Sequence, residues 1–344
     1  MKVFIIGGTG LISSAIREEL ARRGDAVVLF NRGQSPLRGA PAHTVIVGDR
    51  NDEGALRAAL AQEKPDAVID MMAFAPSQAE ALLRACSGNT AQLVLCSTVC
   101  VYGGPLTRLP ADDNEPHRPV GDYGRNKSAI ERLVLDADSA GLRTTVIRPS
   151  FTTGEGATAS GLLFDDSTVD RLRRGLEVVV MDDGRAAWAI AHVSDVARAF
   201  TGALGNARAW GHAYHATSDE HTDWNGVFAA LAQAAGAPAP RLATIPSSWL
   251  YAQAPRRSVG IQFIYRFPSV FDNSAAARDL GFRTTVPLVE TFRRQIAWME
   301  SEGRLLKAGS EPVQQELADA WAAGRDADRS RFQDWNPWGN SATG

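Results

Sequence analysis

The sequence predicts an α/β fold, a doubly wound parallel sheet followed by a smaller C-terminal lobe. Three observations predict it. Short apolar runs alternate with amphipathic segments of helical period through the first 150 residues. The first of these runs, residues 3–6, breaks at once into Gly7, Gly8, Thr9 and Gly10. The chain has 344 residues, more than one such sheet needs, so a further lobe follows.

Each element has its own signal. Residues 3–6 are wholly apolar, as a central strand buried on both faces requires. After the glycines, Leu11, Ile12, Ala15, Ile16 and Leu20 share one face of a helix, with Arg17, Glu18, Glu19, Arg22 and Arg23 opposite. Strand, glycine turn and helix together make a Rossmann-type anion cradle. The glycines let the backbone approach a pyrophosphate, and the helix N-terminus offers free N–H groups and a positive dipole end. Gly7, Thr9, Gly10, Leu11 and Ile12 are therefore candidate cofactor contacts. The spacing is Gly7-x-x-Gly10-x-x-Ser13, with serine at a third position that usually favours glycine for close helix packing.

Residues 26–30 form the second strand, and Asn31 and Arg32 follow it. At this place an acidic residue reads the 2′-hydroxyl of NAD, whereas arginine accommodates the 2′-phosphate of NADP. The acid is absent and Arg32 is present, so NADP(H) is favoured. NAD(H) stays possible, with Arg32 stacked on the adenine. Residues 44–47 form a third strand ending in Gly48, Asp49 and Arg50, and Asn51 or Asp52 caps a helix to about residue 62. Strands at 67–70 and 92–96 flank a helix opened by Pro76 and running to about Cys86.

The fifth strand runs into Ser97-Thr98-Val99-Cys100-Val101-Tyr102-Gly103. Tyr123 and Lys127 follow, four apart on a helix extending to about Asp138. A phenol has a reference pKa of about 10, and bringing it near 7 takes roughly 4 kcal/mol. An ammonium about 4 Å away at an effective dielectric near 20 supplies an interaction of about that size.

The glycine turn, the ST-x-x-VYG segment, YxxxK, Arg148-Pro149 and His192-Val193-Ser194-Asp195 occur in an order that resembles the NAD(P)-dependent epimerase/dehydratase family, the extended short-chain dehydrogenases. Residues 271–282 (FDNSAAARDLGF) and the amphipathic helix ending near Trp298 resemble its C-terminal lobe, so the resemblance covers roughly residues 1–300. It implies Tyr123 as acid/base, Lys127 as the group that sets its pKa and anchors the ribose, and Thr98 as the hydroxyl partner of the substrate oxygen. It implies Asp49 as the adenine contact, with Arg50 beside it, and Met72 and Ala73 against the cofactor riboses. Pro149, Ser150 and Phe151 lie where the backbone meets the nicotinamide carboxamide. Phe74, Tyr102, Trp188 and His192 are candidate substrate contacts, Trp188 and His192 being equally compatible with structural roles. A homodimer packed through helices including that of Tyr123 is also implied.

Two departures from the family narrow the activity. The 4,6-dehydratases carry an Asp-Glu pair after the catalytic threonine; Val99 and Cys100 stand there and supply no competent acid, which argues against a dehydratase. The segment before His192 lacks an arginine in the place that grips a nucleoside diphosphate, and Trp188 stands nearby, so the substrate is expected to lack that group. The expected activity is reduction of a ketone, or epimerisation of a secondary alcohol, on a sugar-like small molecule. The alternative is a non-catalytic dinucleotide sensor or scaffold.

Domain boundaries are expected at 1–150 for the dinucleotide-binding core and 151–344 for the substrate lobe, with segments near 176–217 returning to the sheet. A strand is expected at 144–147, a loop at 152–166, a short basic helix at 170–175, a helix capped by Ser194 to Ala203, a helix at 222–235 and a pocket-lining or packing segment at 247–253. His212, His215 and His221 do not suit a metal, because a strand sends residues three apart to opposite faces. Arg256 and Arg257 read as an anion site or a solvated pair. Trp335 and Trp338 suggest a docking tail. The net charge of −3 without a basic run argues against nucleic acid. No apolar stretch reaches the roughly 18 residues of a membrane span. Three cysteines without CxxC spacing and no secretory signal point to the cytoplasm.

Overall fold

The structure, a computed structural model, describes residues 1–34, 43–139, 141–157 and 167–332. Its N-terminal part contains β1 (Lys2–Ile6), α1 (Leu11–Arg22), β2 (Ala26–Asn31), β3 (Thr44–Val47), α2 (Glu53–Glu63), β4 (Ala67–Asp70), α3 (Pro76–Cys86), β5 (Gln92–Cys96), α4 (Gly121–Asp136) and β6 (Arg143–Pro149). Then come β7 (Phe151–Thr153), α5 (Thr168–Arg173), β8 (Glu177–Met181), β9 (Ala187–Trp188), β10 (Ile190–His192), α6 (Val193–Ala203) and β11 (His212–Ala216). The chain continues through β12 (Thr222–Asp223), α7 (Trp224–Ala234), β13 (Arg241–Ile245), α8 (Ser247–Gln253), α9 (Ser274–Leu280), α10 (Leu288–Ser301) and α11 (Val313–Ala322).

Seven strands form one parallel sheet in the order β11-β6-β5-β4-β1-β2-β3. The reversal between β1 and β4 leaves a crevice at the carboxyl ends of the central strands, the usual ligand site of such sheets. The apolar run of β1 serves both faces, since successive side chains point opposite ways. Val3 and Ile5 pack with Ile16 of α1 and Phe200 of α6, whereas Phe4 and Ile6 pack with Leu56 of α2 and Leu82 of α3. Asp52 caps α2 by accepting from the Ala55 N–H at 2.9 Å.

A separate core builds the C-terminal lobe around Trp188, Trp224, Phe228 and Phe292. Within the stretch 176–217, α6 packs on α1 and β11 joins the main sheet. Its first part does otherwise: β8 pairs with β13 in a two-stranded sheet of the lobe, where its valines face α7 and α11 residues. The lobe is tied back by buried polar side chains. Asp195 accepts from the Thr285 and Val286 N–H groups at 2.9 and 3.2 Å. Asn273 exchanges hydrogen bonds with the Thr217 backbone. Trp335, Trp338 and most of the expected loop at 152–166 lie outside the described residues.

Candidate active site

The glycine turn opens the site. Gly7 has a φ of +106°, and a Cβ there would stand 2.9 Å from Met72 Cγ, so the turn packs directly under the loop after β4. Ser13 is buried, and its hydroxyl accepts from the Gly10 N–H at 3.0 Å and donates to the Gly10 carbonyl at 3.2 Å. The non-glycine at the third motif position thus braces the turn. Leu11 and Ile12 open α1 directly after this turn.

A cleft of about 220 Å³ runs from this turn, lined by Gly7, Thr9, Asn31, Arg32, Asp49, Arg50, Met72 and Phe74 among others. Asn31 is fixed by donating to the Gly7 carbonyl at 3.3 Å and accepting from the Gly33 N–H at 2.8 Å. Arg32 and Asp49 are exposed on the rim. Arg50 is different: its guanidinium turns inward, 3.3 Å from the Asp70 carboxylate, and donates to the Gln78 carbonyl at 3.0 Å. Gln78, which no sequence signal marked, accepts from the N–H groups of Phe74 and Ala75 and donates to Asn51, locking the 72–75 loop to the cleft edge. Ala73 is fully buried and contributes to the core beneath the cleft.

At the other end stand the expected catalytic groups. Thr98 ends β5, and its hydroxyl oxygen accepts from the Cys100 N–H at 3.2 Å. The Tyr123 phenol hydrogen-bonds to the Thr98 side chain. Gly124 allows this approach, because a Cβ there would meet the Cys100 carbonyl oxygen at 2.8 Å. Lys127 is buried one turn on; its ammonium donates to the Cys96 carbonyl at 2.9 Å and lies 4.7 Å from the Phe74 ring centroid. Phe74 is 45% exposed, its ring 6.4 Å from that of Tyr123, and Asn126 holds its carbonyl at 2.9 Å. A small apolar pocket opens beside Tyr123, bounded by Cys100, Val120, Val259, Phe263 and Ile264. The last three come from the segment around the π-helical turn Ile261–Tyr265, which the sequence did not single out.

The electrostatics differ from the simple pairing of charges. Burial pushes the Tyr123 phenol above its ordinary range, and burial lowers Lys127. Desolvation outweighs the attraction expected of the ammonium, which is committed to the Cys96 carbonyl.

Several expected substrate contacts lie elsewhere. Tyr102 is fully buried: its hydroxyl accepts from Arg148 at 2.7 Å and meets His215 Nε2 at 2.7 Å, because the 3₁₀ turn at 99–101 carries it inward. Trp188 stacks on Trp224 with centroids 5.3 Å apart in the lobe core. His192, not Ser194, caps α6, accepting from the Ser194 N–H at 3.2 Å, and its Nε2 lies 3.0 Å from Glu155. Pro149 is buried, the Ser150 hydroxyl donates weakly to the Ala189 carbonyl at 3.4 Å, and Phe151 packs on Tyr265. Arg257 is buried and paired with Glu311 at 3.2 Å, so it is no solvated surface pair with the exposed Arg256.

Fold and cleft together define an enzyme of the extended short-chain dehydrogenase type. Residues 3–216 match the NAD dependent epimerase/dehydratase family, and the chain belongs to it. It is accordingly an NAD(P)-dependent reductase or epimerase. It is 29% identical over 251 residues to 2′-dehydrokanamycin reductase of Streptomyces kanamyceticus, covering 72% of this chain and 70% of that protein. It is 27% identical over 257 residues to the chloroplast stem-loop binding protein of 41 kDa b of Arabidopsis thaliana, covering 70% of this chain and 65% of that protein. The matched segments thus span about two thirds of the length of these curated relatives. In fold it resembles the UDP-glucose 4-epimerase of Thermotoga maritima solved with UDP-glucose, with a TM-score of 0.73 at 20% identity, covering 88% of this chain and 99% of that one. Among the described residues no helix is long and apolar enough to cross a membrane.

Proposed function

We propose that the protein is an NADP(H)-preferring reductase of a ketone on a sugar-like small molecule without a nucleoside diphosphate. The observation that carries this reading is the hydrogen bond between Thr98 and a Tyr123 phenol that burial keeps protonated. Reduction needs a proton donor at this point. The residues present suit a dinucleotide: Gly7, whose φ of +106° favours glycine, and the exposed cation Arg32 both line the cleft. When bound, that cofactor supplies hydride to the carbonyl carbon.

The chain's own part is then as follows. Thr98 steadies the carbonyl oxygen as negative charge develops on it. Tyr123 gives its hydroxyl proton to that oxygen and is re-protonated from water after product has left and solvent has returned. Lys127 contributes positive charge beneath the site, and Phe74 with Phe263 and Ile264 keeps water from the pocket. Among the described residues bounding this pocket there is no cation, which supports a substrate whose reacting end is uncharged. The likeness to a protein named 2′-dehydrokanamycin reductase supports the carbonyl direction. Val99 and Cys100 offer no acid for water elimination, so dehydration is not part of the proposal.

The test begins with the dinucleotide released on denaturing the purified protein. The expected result is little bound cofactor and tighter binding of NADPH than of NADH, followed by NADPH oxidation with one of a set of keto-sugars. Near-stoichiometric oxidised NAD would overturn the reductase reading in favour of an epimerase. Tyr123→Phe should lose turnover but keep cofactor; unchanged turnover in that variant would remove the catalytic assignment.

A further inference from the structure

We propose that Asp70 is a positioning residue that keeps Lys127 charged, acting against Arg50 as the competing cation. The proposal rests on the reading of Lys127 just given. Asp70 ends an otherwise apolar strand and has no solvent exposure. A buried carboxylate costs several kcal/mol unless its partners compensate, so its surroundings state its purpose. Oδ1 accepts from the Met72 N–H at 2.6 Å, holding the loop that lines the cofactor cleft. Oδ2 accepts no hydrogen bond and lies 3.3 Å from Arg50 Nη1, which, like Arg50 Nε, also has no hydrogen-bond partner. Asp70 Oδ2 is thus met by the charge of Arg50 but by no hydrogen bond.

Lys127 shares the same buried compartment. Register pairs Asp70 with Leu95, one residue before the Cys96 whose carbonyl holds the ammonium. Four groups act electrostatically on Lys127: Cys96 on β5, Asp70 on β4, Glu131 one turn along α4, and Arg50 from the segment after β3. Glu131 is already committed, receiving hydrogen bonds from Arg148 Nε and Nη2 and from Ser97. Cys86 and Cys96, which also face Asp70, are kept neutral by burial. Burial and, to a lesser extent, Arg50 disfavour the ammonium, while Cys96, Asp70 and Glu131, in that order, favour it. With Glu131 shared by Arg148, Asp70 is the carboxylate that tips the balance.

The chain contains only four lysines, Lys2, Lys64, Lys127 and Lys307, so lysine labelled with ¹³C at Cε gives a spectrum in which Lys127 can be titrated by NMR. Asp70→Asn should lower the Lys127 midpoint by about one pH unit, the low end of what an opposite charge nearby contributes. Arg50→Gln should raise it, and the double variant R50Q/D70N should return it close to that of the unaltered protein. An unchanged midpoint in a folded D70N protein, or a double variant no different from D70N, overturns the proposal. If D70N does not fold, R50Q alone decides, and an unmoved midpoint there overturns it equally. The titration needs neither substrate nor cofactor. Its failure is thus distinct from failure of the reductase reading, which shows only in turnover.

Discussion

Ser13 and Gly10 are joined twice, the hydroxyl accepting from the Gly10 N–H and donating to the Gly10 carbonyl. The serine does locally what packing against glycine does elsewhere. Ser13→Gly removes both bonds and adds a glycine to the first turn of α1. It should cost about 1–2 kcal/mol of stability, combining a lost hydrogen bond with the helix cost of glycine. Urea unfolding measures this. Ser13→Ala should cost less and leave NADPH affinity unchanged, because the N–H groups of Leu11 and Ile12 are untouched.

Thr98 reaches both Tyr123 and the Cys100 backbone. Thr98→Val keeps the shape and removes the hydroxyl, so kcat should fall by about 10²-fold, as for loss of one group that stabilises an oxyanion. Thr98→Ser should retain most of it. A valine variant with normal kcat would exclude the hydroxyl from the reaction.

Arg32 stands exposed on the rim of the cleft, directly after Asn31, which ends β2 where an acid would read the 2′-hydroxyl of NAD. Removal of a charge-assisted contact to a phosphate costs about 1.5–3 kcal/mol. Arg32→Ala should therefore weaken NADPH binding at least about tenfold and leave NADH binding nearly the same. Fluorescence titration with each cofactor reads the difference, and equal losses for both would assign Arg32 to adenine stacking.

Asp113 and His215 face one another at 3.3 Å behind the site, and burial moves them oppositely. Burial raises Asp113 to about 6 and lowers His215 to about 4. For Asp113 the native state favours the proton, so its contribution is full at low pH and is lost as pH rises through about 6. For His215 the native state disfavours the proton, so its contribution is full above the unfolded value near 6.5 and is lost as pH falls towards 4. The two slopes oppose each other between pH 4 and 6.5. Asp113→Asn should make stability rise with pH across that window, and His215→Gln should make it fall. Thermal melts at half-unit pH intervals distinguish the two signs.

Much of the sheet was legible because its strands are short apolar runs bounded by glycine, asparagine or aspartate. Residues 44–47, 67–70 and 92–96 begin and end as expected. The Tyr123–Lys127 spacing was equally plain, since both lie on one helix. What escaped was whatever depends on distant segments. Tyr102 follows the catalytic strand in sequence but is drawn inward by Arg148 and His215, 46 and 113 residues away. Trp188 sits beside a motif yet stacks on Trp224. The pocket wall at 259–264 carries no local pattern, and the inward turn of Arg50 depends on Asp70 from the next strand. The opposing effect of burial on Tyr123 was invisible for the same reason, because spacing reports proximity and not desolvation.

The wall of the pocket beside Tyr123 and the groups that face it belong to separate stretches of chain. Thr98, Tyr123 and Lys127 hang from the central sheet and α4, whereas Val259, Phe263 and Ile264 come from a turn more than 130 residues later. The groups proposed to react and the surface beside them can thus vary independently. Randomising Val259, Phe263 and Ile264 would change which molecules are accepted while the proton donor stays where it is. The protein is in that respect a ready starting scaffold for directed evolution of substrate scope.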